Sequence, residues 1–342
     1  MQEENLFVKN VSVIIPTYNR AAILPQILAP LLDDREHVLE VIIADDGSTD
    51  DTVAIAREMG ARVIELNRRQ NANLCRNQGA RVAGGEILLF LDSDVVLDAG
   101  SFAYLQDYFA DPEIDGVVGV YSVKHRHENI TSQYKNLWIR FSFLQSRQRT
   151  DWIFGAVSAI RREAFLRVNG FNEAYQPHNA DDLDLGKRML EYSFHIVLDP
   201  RLSVEHLKRH TLSSLLRNDF IRSRWFVYLA DFFNELGSSW RKGVFNVYPR
   251  FILATPLAPL IPMLAVPAMK WPRMGWAVFF TSFLYLFLNH PFLSYLKKER
   301  GWIATLQSLP VLYLDHCACA AGVAAGLFDW ARSRMSRKQP GK

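Results

Sequence analysis

Short β-branched runs alternate with stretches of helical spacing across residues 11–91. Residues 11–15, VSVII, predict a buried strand that stops at Pro16, which lacks the N–H a ladder needs. Residues 21–32 have helical spacing. VLEVIIADDGSTDDT (38–52) predicts a second strand running into an Asp/Gly/Ser turn, with Thr49, Asp50 and Asp51 as candidate caps for a helix over 52–59. A short strand follows at 61–65, then a helix over 73–85 that ends at Gly84-Gly85. ILLFL (87–91) reads as a fully buried strand. Strand–helix alternation of this kind implies parallel pairing in an α/β sheet, with ligands at the carboxyl ends of the strands.

The pattern changes after residue 250. Residues 251–269 and 275–296 carry no Asp, Glu, Lys or Arg, and 302–328 is apolar except at Asp315-His316. About 20 apolar residues span a bilayer. For 275–296 insertion is favoured by about 3–7 kcal/mol before Asn289, His290 and Pro291 subtract. Segment 251–269 is kinked by Pro256, Pro259, Pro262 and Pro267. In 302–328, Asp315 offsets about 2.5–3.5 kcal/mol of a similar gain. LKKERG (296–301) and the tail RSRMSRKQPGK (332–342) are basic and belong on the cytoplasmic side. Two spans satisfy both, and the third segment is then re-entrant or interfacial, with Asp315 near water or protein. Gly322 and Gly326 read as a thinly filled helix more than as a packing face.

Composition adds little to this division. The chain has 342 residues, 49% hydrophobic, with formal net charge +3, which implies no nucleic-acid partner. Cys75, Cys317 and Cys319 are too few and too badly spaced for a disulfide framework. The start, MQEENLFVKN, has neither a basic nor an apolar leader region, so residues up to about 240 are expected in the cytoplasm.

Two acid pairs stand at strand ends, Asp45-Asp46 and Asp92/Asp94. A solvated, helix-capping turn accounts for ADDGSTDD as well as a ligand site does. The same reading is weaker for FLDSD, because ending a buried strand in two carboxylates is costly without compensation. Hard oxygen donors suit Mg²⁺ or Mn²⁺, and Mg²⁺ commonly shares substrate phosphates.

VSVIIPTYNR (11–20), ADDGSTD (44–50), CRNQG (75–79), FLDSD (90–94) and ADDLDLGKRM (180–189) occur in an order that resembles family 2 glycosyltransferases. The resemblance covers roughly residues 10–225. It implies a GT-A type nucleotide-binding α/β domain with a mostly parallel sheet, followed here by C-terminal membrane helices. By the same resemblance Thr17, Tyr18 and Asn19 line the nucleotide pocket, with Asp46 and Ser93 among the cofactor-binding residues. Asp45 meets the base, commonly uracil, Arg76 lies near the diphosphate and Asp92 meets the ribose. Asp94 is the main metal ligand and His206 completes the site. Asp182 is the catalytic base, and Asp181 stands where the family usually has glutamate. Read without the family, Arg76 is a surface helix charge, Asp181 and Asp182 complement a helix dipole, and His206 is structural. His210 is expected at the surface. IRSRW (221–225) resembles the QxxRW element of processive polysaccharide synthases, with Arg224 and Trp225 on the acceptor or diphosphate side. Ile221 replaces the glutamine, which speaks against processive synthesis; the bland role of Trp225 is an interfacial anchor on the amphipathic helix 212–236.

These readings divide the chain into a catalytic domain (1–210), an interfacial helical connector (211–248), membrane-embedded helices (249–330) and a basic cytoplasmic tail (331–342). They imply an inverting, Mg²⁺- or Mn²⁺-dependent transferase at the inner (cytoplasmic) membrane, moving one sugar from a nucleotide sugar to a hydroxyl of a lipid or lipid-linked glycan. A processive synthase, a catalytically inactive nucleotide-sugar-binding partner and a metal-dependent nucleotidyltransferase are the alternatives.

Overall fold

The computed structural model of the protein describes residues 10–145, 148–174, 181–235 and 248–337. Residues 1–9, residues 236–247 of the expected connector and the end of the basic tail lie outside the described residues.

The chain divides into two compact units. One takes its described residues from 1–126 and 147–208, the other from 127–146 and 209–342. The first begins β1 (Val11–Thr17), α1 (Leu24–Asp33), β2 (Val38–Asp45), α2 (Thr52–Glu58), β3 (Arg62–Glu65), α3 (Ala72–Val82), β4 (Ile87–Leu91), β5 (Val95–Leu97), α4 (Ser101–Ala110) and β6 (Gly116–Tyr121). After α5 (Ile130–Leu144), which groups with the second unit, the chain returns through β7 (Arg149–Thr150), β8 (Val157–Arg161), α6 (Arg162–Arg167), α7 (Asp181–Glu191) and β9 (Ile196–His206).

These strands form one mixed sheet in the order β3-β2-β1-β4-β8-β6-β9-β5, with β7 on β9. β3, β2, β1 and β4 run parallel, as the apolar runs imply. β8 runs antiparallel to both β4 and β6, which brings residues 157–161 alongside the FLDSD strand. Every residue of β1 and β4 is buried, the state of a strand covered on both faces. In α1, Leu24, Ile27, Leu28 and Leu31 are buried at helical spacing, one apolar stripe toward the core. Gly79 lets α3 close on β1: a Cβ there would fall 2.5 Å from the Ile14 side chain.

Local chemistry departs from expectation at two points. β1 continues through Pro16 to Thr17, because β4 pairs with it only as far as Ile14 and Pro16 lies where one flank is already open. Asp51 occupies the helix-cap position of α2 without a side-chain bond, while Asp50 accepts from the Thr52 amide at 3.1 Å.

The second unit adds to α5 the helices α8 (Leu212–Glu235), α9 (Pro249–Ala254), α10 (Leu257–Ala268) and α11 (Gly275–Arg337). α11 breaks at Gly301, whose φ of 82° and ψ of 178° are not helical. Pro249–Ala268 and Pro272–Arg332 are long and apolar enough to cross a membrane. Asp315 is buried and accepts from the Tyr134 hydroxyl at 2.8 Å, and Asp219 accepts from Lys135 at 2.6 Å, so the polar side of α5 is matched within this unit. The reading of Gly322 and Gly326 as thin filling is corrected here. A Cβ on either would collide with the Phe220 or Arg224 carbonyl of α8, so both glycines permit a close helix–helix crossing. His210 is also buried rather than superficial: its amide donates to Ser132 at 2.8 Å, and its carbonyl accepts from Asn129 at 2.7 Å.

Candidate active site

The carboxyl ends of β1, β2 and β4 lie side by side, and most of the expected site residues follow them. Asp45 ends β2 and is buried. One carboxylate oxygen accepts from the Gly47 amide at 3.1 Å and the Ser48 amide at 2.7 Å; the other accepts from the Thr17 hydroxyl at 3.5 Å. Asp46 accepts from the Gln70 amide at 2.7 Å. Gly47 has a φ of +80°, where a side chain is strained, and a Cβ would press on the backbone of Arg68 and Arg69 at 3.0 Å. Asn19 has a φ of 50° and locks this turn by accepting from the Thr49 amide at 2.8 Å. The Arg69 guanidinium lies 4.3 Å from the centre of the Tyr18 ring.

The pair after β4 is arranged differently. Its two carboxylates face different side chains. Asp92 accepts from Arg76 at 2.7 Å, and Asp94 lies 3.7 Å from Nε2 of His206. Ser93, between them, accepts from Arg20 at 3.2 Å. Burial pushes Asp92 up in spite of Arg76, with Asp94 adding to the rise. Burial acts the same way on Asp94, but the hydrogen bond and charge of His206, with Arg20 and Lys208, hold it below the usual carboxylate range. Phe90, two residues before Asp92, packs on Phe165 and Phe171 with centroids at 4.9 Å and 5.5 Å, which fixes the end of β4.

Arg76 is not the surface charge that α3 alone suggests. It is 6% exposed and stacks over Phe171 at 5.1 Å. Besides Asp92 it reaches Asn73 at 3.1 Å and Asp181 at 3.9 Å. It thereby joins the end of β4 to the start of α7. Asn77, one residue further along α3, clamps the segment before α7 from both sides. It donates to the Phe171 carbonyl at 2.8 Å and accepts from the Phe171 amide at 2.9 Å.

Asp182 accepts from the Gly155 amide at 2.9 Å, and the Ile153 amide donates to the Asp182 carbonyl at 3.2 Å. Burial, then the like charge of Asp181, push the Asp182 carboxyl up to about 8 against the opposing pull of Arg76 and the Gly155 amide. The acid two positions on, Asp184, is committed to Arg188 at 2.7 Å. A Cβ on Gly155 would fall 3.0 Å from Asp182 and 3.1 Å from Arg76, so a side chain there would press on both charged groups.

His206 ends β9 and is buried, its ring parallel to Tyr121 within 5° at 4.6 Å. Among the described residues no group of three His, Cys, Asp or Glu forms a metal cage. Asp94 and His206 form an open, two-ligand corner, which fits a cation that keeps waters and takes substrate phosphates. Arg224 and Trp225 lie in the other unit, on α8, where Arg224 bonds Asp329 at 2.6 Å and Trp225 is exposed. Sequence reasoning missed Gly155, for which no motif spoke, and Arg20, which directly follows the Thr17-Tyr18-Asn19 motif.

Residues 12–167 match the family model described as glycosyl transferase family 2. This region is a family 2 glycosyltransferase domain. Residues 135–211 also match a model described as the N-terminal domain of galactosyltransferase. The 4,4'-diaponeurosporenoate glycosyltransferase of Staphylococcus haemolyticus is 29% identical over 194 residues, covering 52% of this chain and 51% of that protein. The O-antigen chain rhamnosyltransferase RfbN of Salmonella typhimurium is 24% identical over 216 residues, covering 59% and 67%. The match therefore spans about half to two thirds of the length of these relatives. The mannosyltransferase PcManGT of Pyrobaculum calidifontis, solved in complex with GDP-Man and Mn2+, superposes with a TM-score of 0.55 at 20% identity, covering 94% of this chain and 87% of that one. That likeness gives the fold, a GT-A type α/β domain with a mostly parallel mixed sheet.

Proposed function

We propose that this chain is an inverting, metal-dependent glycosyltransferase that moves one sugar from a nucleotide sugar to a hydroxyl of a lipid or lipid-linked acceptor. The observation that carries the reading is Arg76. It ion-pairs with Asp92 after β4 and faces Asp181 at the head of α7, so the donor-side strand and the base-bearing helix share one buried guanidinium.

In this reading Thr17, Tyr18, Asn19, Asp45, Asp46 and Ser93 shape the nucleotide pocket, and Asp92 meets the ribose. Asp94 and His206 hold a divalent cation, Mg²⁺ or Mn²⁺, which supplies neutralisation of the departing diphosphate. Arg76 adds positive charge on the same side. The acceptor hydroxyl attacks the anomeric carbon opposite the diphosphate and loses its proton to a carboxylate oxygen of Asp182, which inverts the configuration. Positioned proton removal of this kind is worth about 10²–10⁴-fold. The raised affinity of Asp182 for a proton suits that role, and the Gly155 amide holds the carboxylate in place. Arg224 and Trp225 belong to the acceptor side.

The membrane reading rests on the second unit. Trp276, Phe279, Phe280, Phe283 and Phe287 of α11 and Met263, Val266 and Met269 on and just after α10 are all more than half exposed. Water tolerates no such contiguous apolar surface well. A bilayer covers it, with the catalytic unit on the cytoplasmic side and the burial of Asp315 letting 302–328 lie re-entrant or interfacial.

The test uses detergent-purified full chain with a panel of UDP- and GDP-linked sugars, Mn²⁺ or Mg²⁺, and extracted membrane lipid. Release of nucleoside diphosphate that needs lipid, metal, Asp94 and Asp182 supports the proposal. A donor that binds without turnover favours the inactive binding partner. Release of pyrophosphate favours a nucleotidyltransferase. Chains of added sugar favour a processive synthase, against which Ile221 speaks.

A further inference from the structure

The stack between His206 and Tyr121 is not used by the reaction described above. β6 carries Tyr121 as its last residue, paired with Val204 of β9, two positions before His206. A register shift between Val118 and Val120 sets this pairing, and Gly119 permits it, since a Cβ there would collide with the Leu202 carbonyl. The two rings then lie 4.6 Å apart and within 5° of parallel, and both residues are at most 7% exposed. Phe154 is edge-on to Tyr121 at 5.2 Å. Phe154 is itself held by the Val157 amide, which donates to its carbonyl at 3.1 Å. His125 stands edge-on to His206 at 6.4 Å. The Tyr121 face thus constrains the imidazole plane, whose own χ2 is broad in histidine.

A metal-binding imidazole must aim one nitrogen lone pair along the bond, and the groups that orient it matter nearly as much as the ligand itself. We propose that Tyr121 is a positioning residue that holds the His206 ring at the angle from which Nε2, 3.7 Å from Asp94, can share a cation with that carboxylate. The inference rests on the proposed metal site at Asp94 and His206. The contact is made by the ring face, so the phenol hydroxyl is dispensable to it.

Outer-shell groups that orient metal ligands are typically worth about 10–100-fold in affinity. Mn²⁺ binding to the detergent-purified full chain is read by the loss of the free-ion EPR signal, with UDP present, alongside thermal melting. Tyr121→Phe should bind within about threefold of the unsubstituted chain. Tyr121→Leu, which fills the volume without a flat face, and Tyr121→Ala should each weaken binding about tenfold. In a His206→Ala background the same substitutions should have no further effect on Mn²⁺ affinity, as expected of a residue that acts through His206. If Tyr121→Leu binds Mn²⁺ as tightly as Tyr121→Phe, the positioning role is wrong. The same conclusion follows if the tenfold loss persists in full without His206. Should His206→Ala itself leave Mn²⁺ affinity unchanged, the metal site is what fails, and that result is separable from the other two. Tyr121→Leu keeps the test usable if Tyr121→Ala does not fold.

Discussion

Two acid pairs end the apolar strands that flank β1, and they are held in different ways. Asp45 and Asp46 are satisfied by their surroundings in the chain: backbone amides of Gly47, Ser48 and Gln70 and the Thr17 hydroxyl fill their oxygens. Asp92 and Asp94 are faced by side chains from distant elements instead, Arg76 from α3 and His206 from β9. The first pair shapes the turn on which the proposed nucleotide pocket is built. The second is held by side chains that, in the proposed reading, a diphosphate and a cation would engage. Position in the fold does not separate them; the source of the hydrogen-bond donors does.

The contrast is sharpest when one charge is removed at a time. Asp182→Asn, beyond both pairs, should lower kcat by about 10²–10⁴-fold in a single-turnover transfer assay. The same substitution should raise the melting temperature. Asp182 keeps its proton up to about 8 when folded, whereas the model carboxyl ionises near 3.8. Stability is therefore lost as pH rises across that window. Asparagine carries no such penalty, so a rise of a few degrees at pH 7–8 is expected by calorimetry. Asp94→Ala should cost about 10²–10³-fold in kcat with the fold intact by circular dichroism. Asp45→Asn should do the reverse. It turns an acceptor into a donor against amides, and should cost about 1–3 kcal/mol of stability, seen in urea titration, with kcat nearly unchanged. A large loss of kcat without loss of stability would erase the distinction between the pairs, whereas a loss of donor affinity alone fits the proposed pocket role of Asp45. The smallest effect belongs to Asp181→Asn. Removing its like charge should move the acidic limb of the kcat–pH profile, expected near 8, down by on the order of one unit.

What could be read from the sequence follows the range of the interactions. β1, β2 and β4 are continuous apolar runs joined by helices, so their existence and parallel pairing follow from local pattern. The acids at their ends are visible for the same reason. The antiparallel pairings are hidden, because β8 meets β4 and β6, and β9 meets β5, across long stretches of chain that carry no pairing signal. Arg76 looks like a surface charge until Phe171, Asp92 and Asp181 arrive from elsewhere. His210 looks superficial until α5, which sequence order places inside the catalytic domain, joins it in the helical unit. Gly155 has no motif, since its purpose lies in the space it leaves for Asp182. Gly322 and Gly326 show the same thing in the helical unit.

The most direct measurement is nucleoside-diphosphate release against Mn²⁺ concentration, for the full chain and for Asp94→Ala and Asp45→Asn side by side. The account expects the unsubstituted chain and Asp45→Asn to be activated with similar midpoints, and Asp94→Ala to show no activation over the same range. Metal-dependent release that survives in Asp94→Ala, or vanishes in a folded Asp45→Asn, would contradict it.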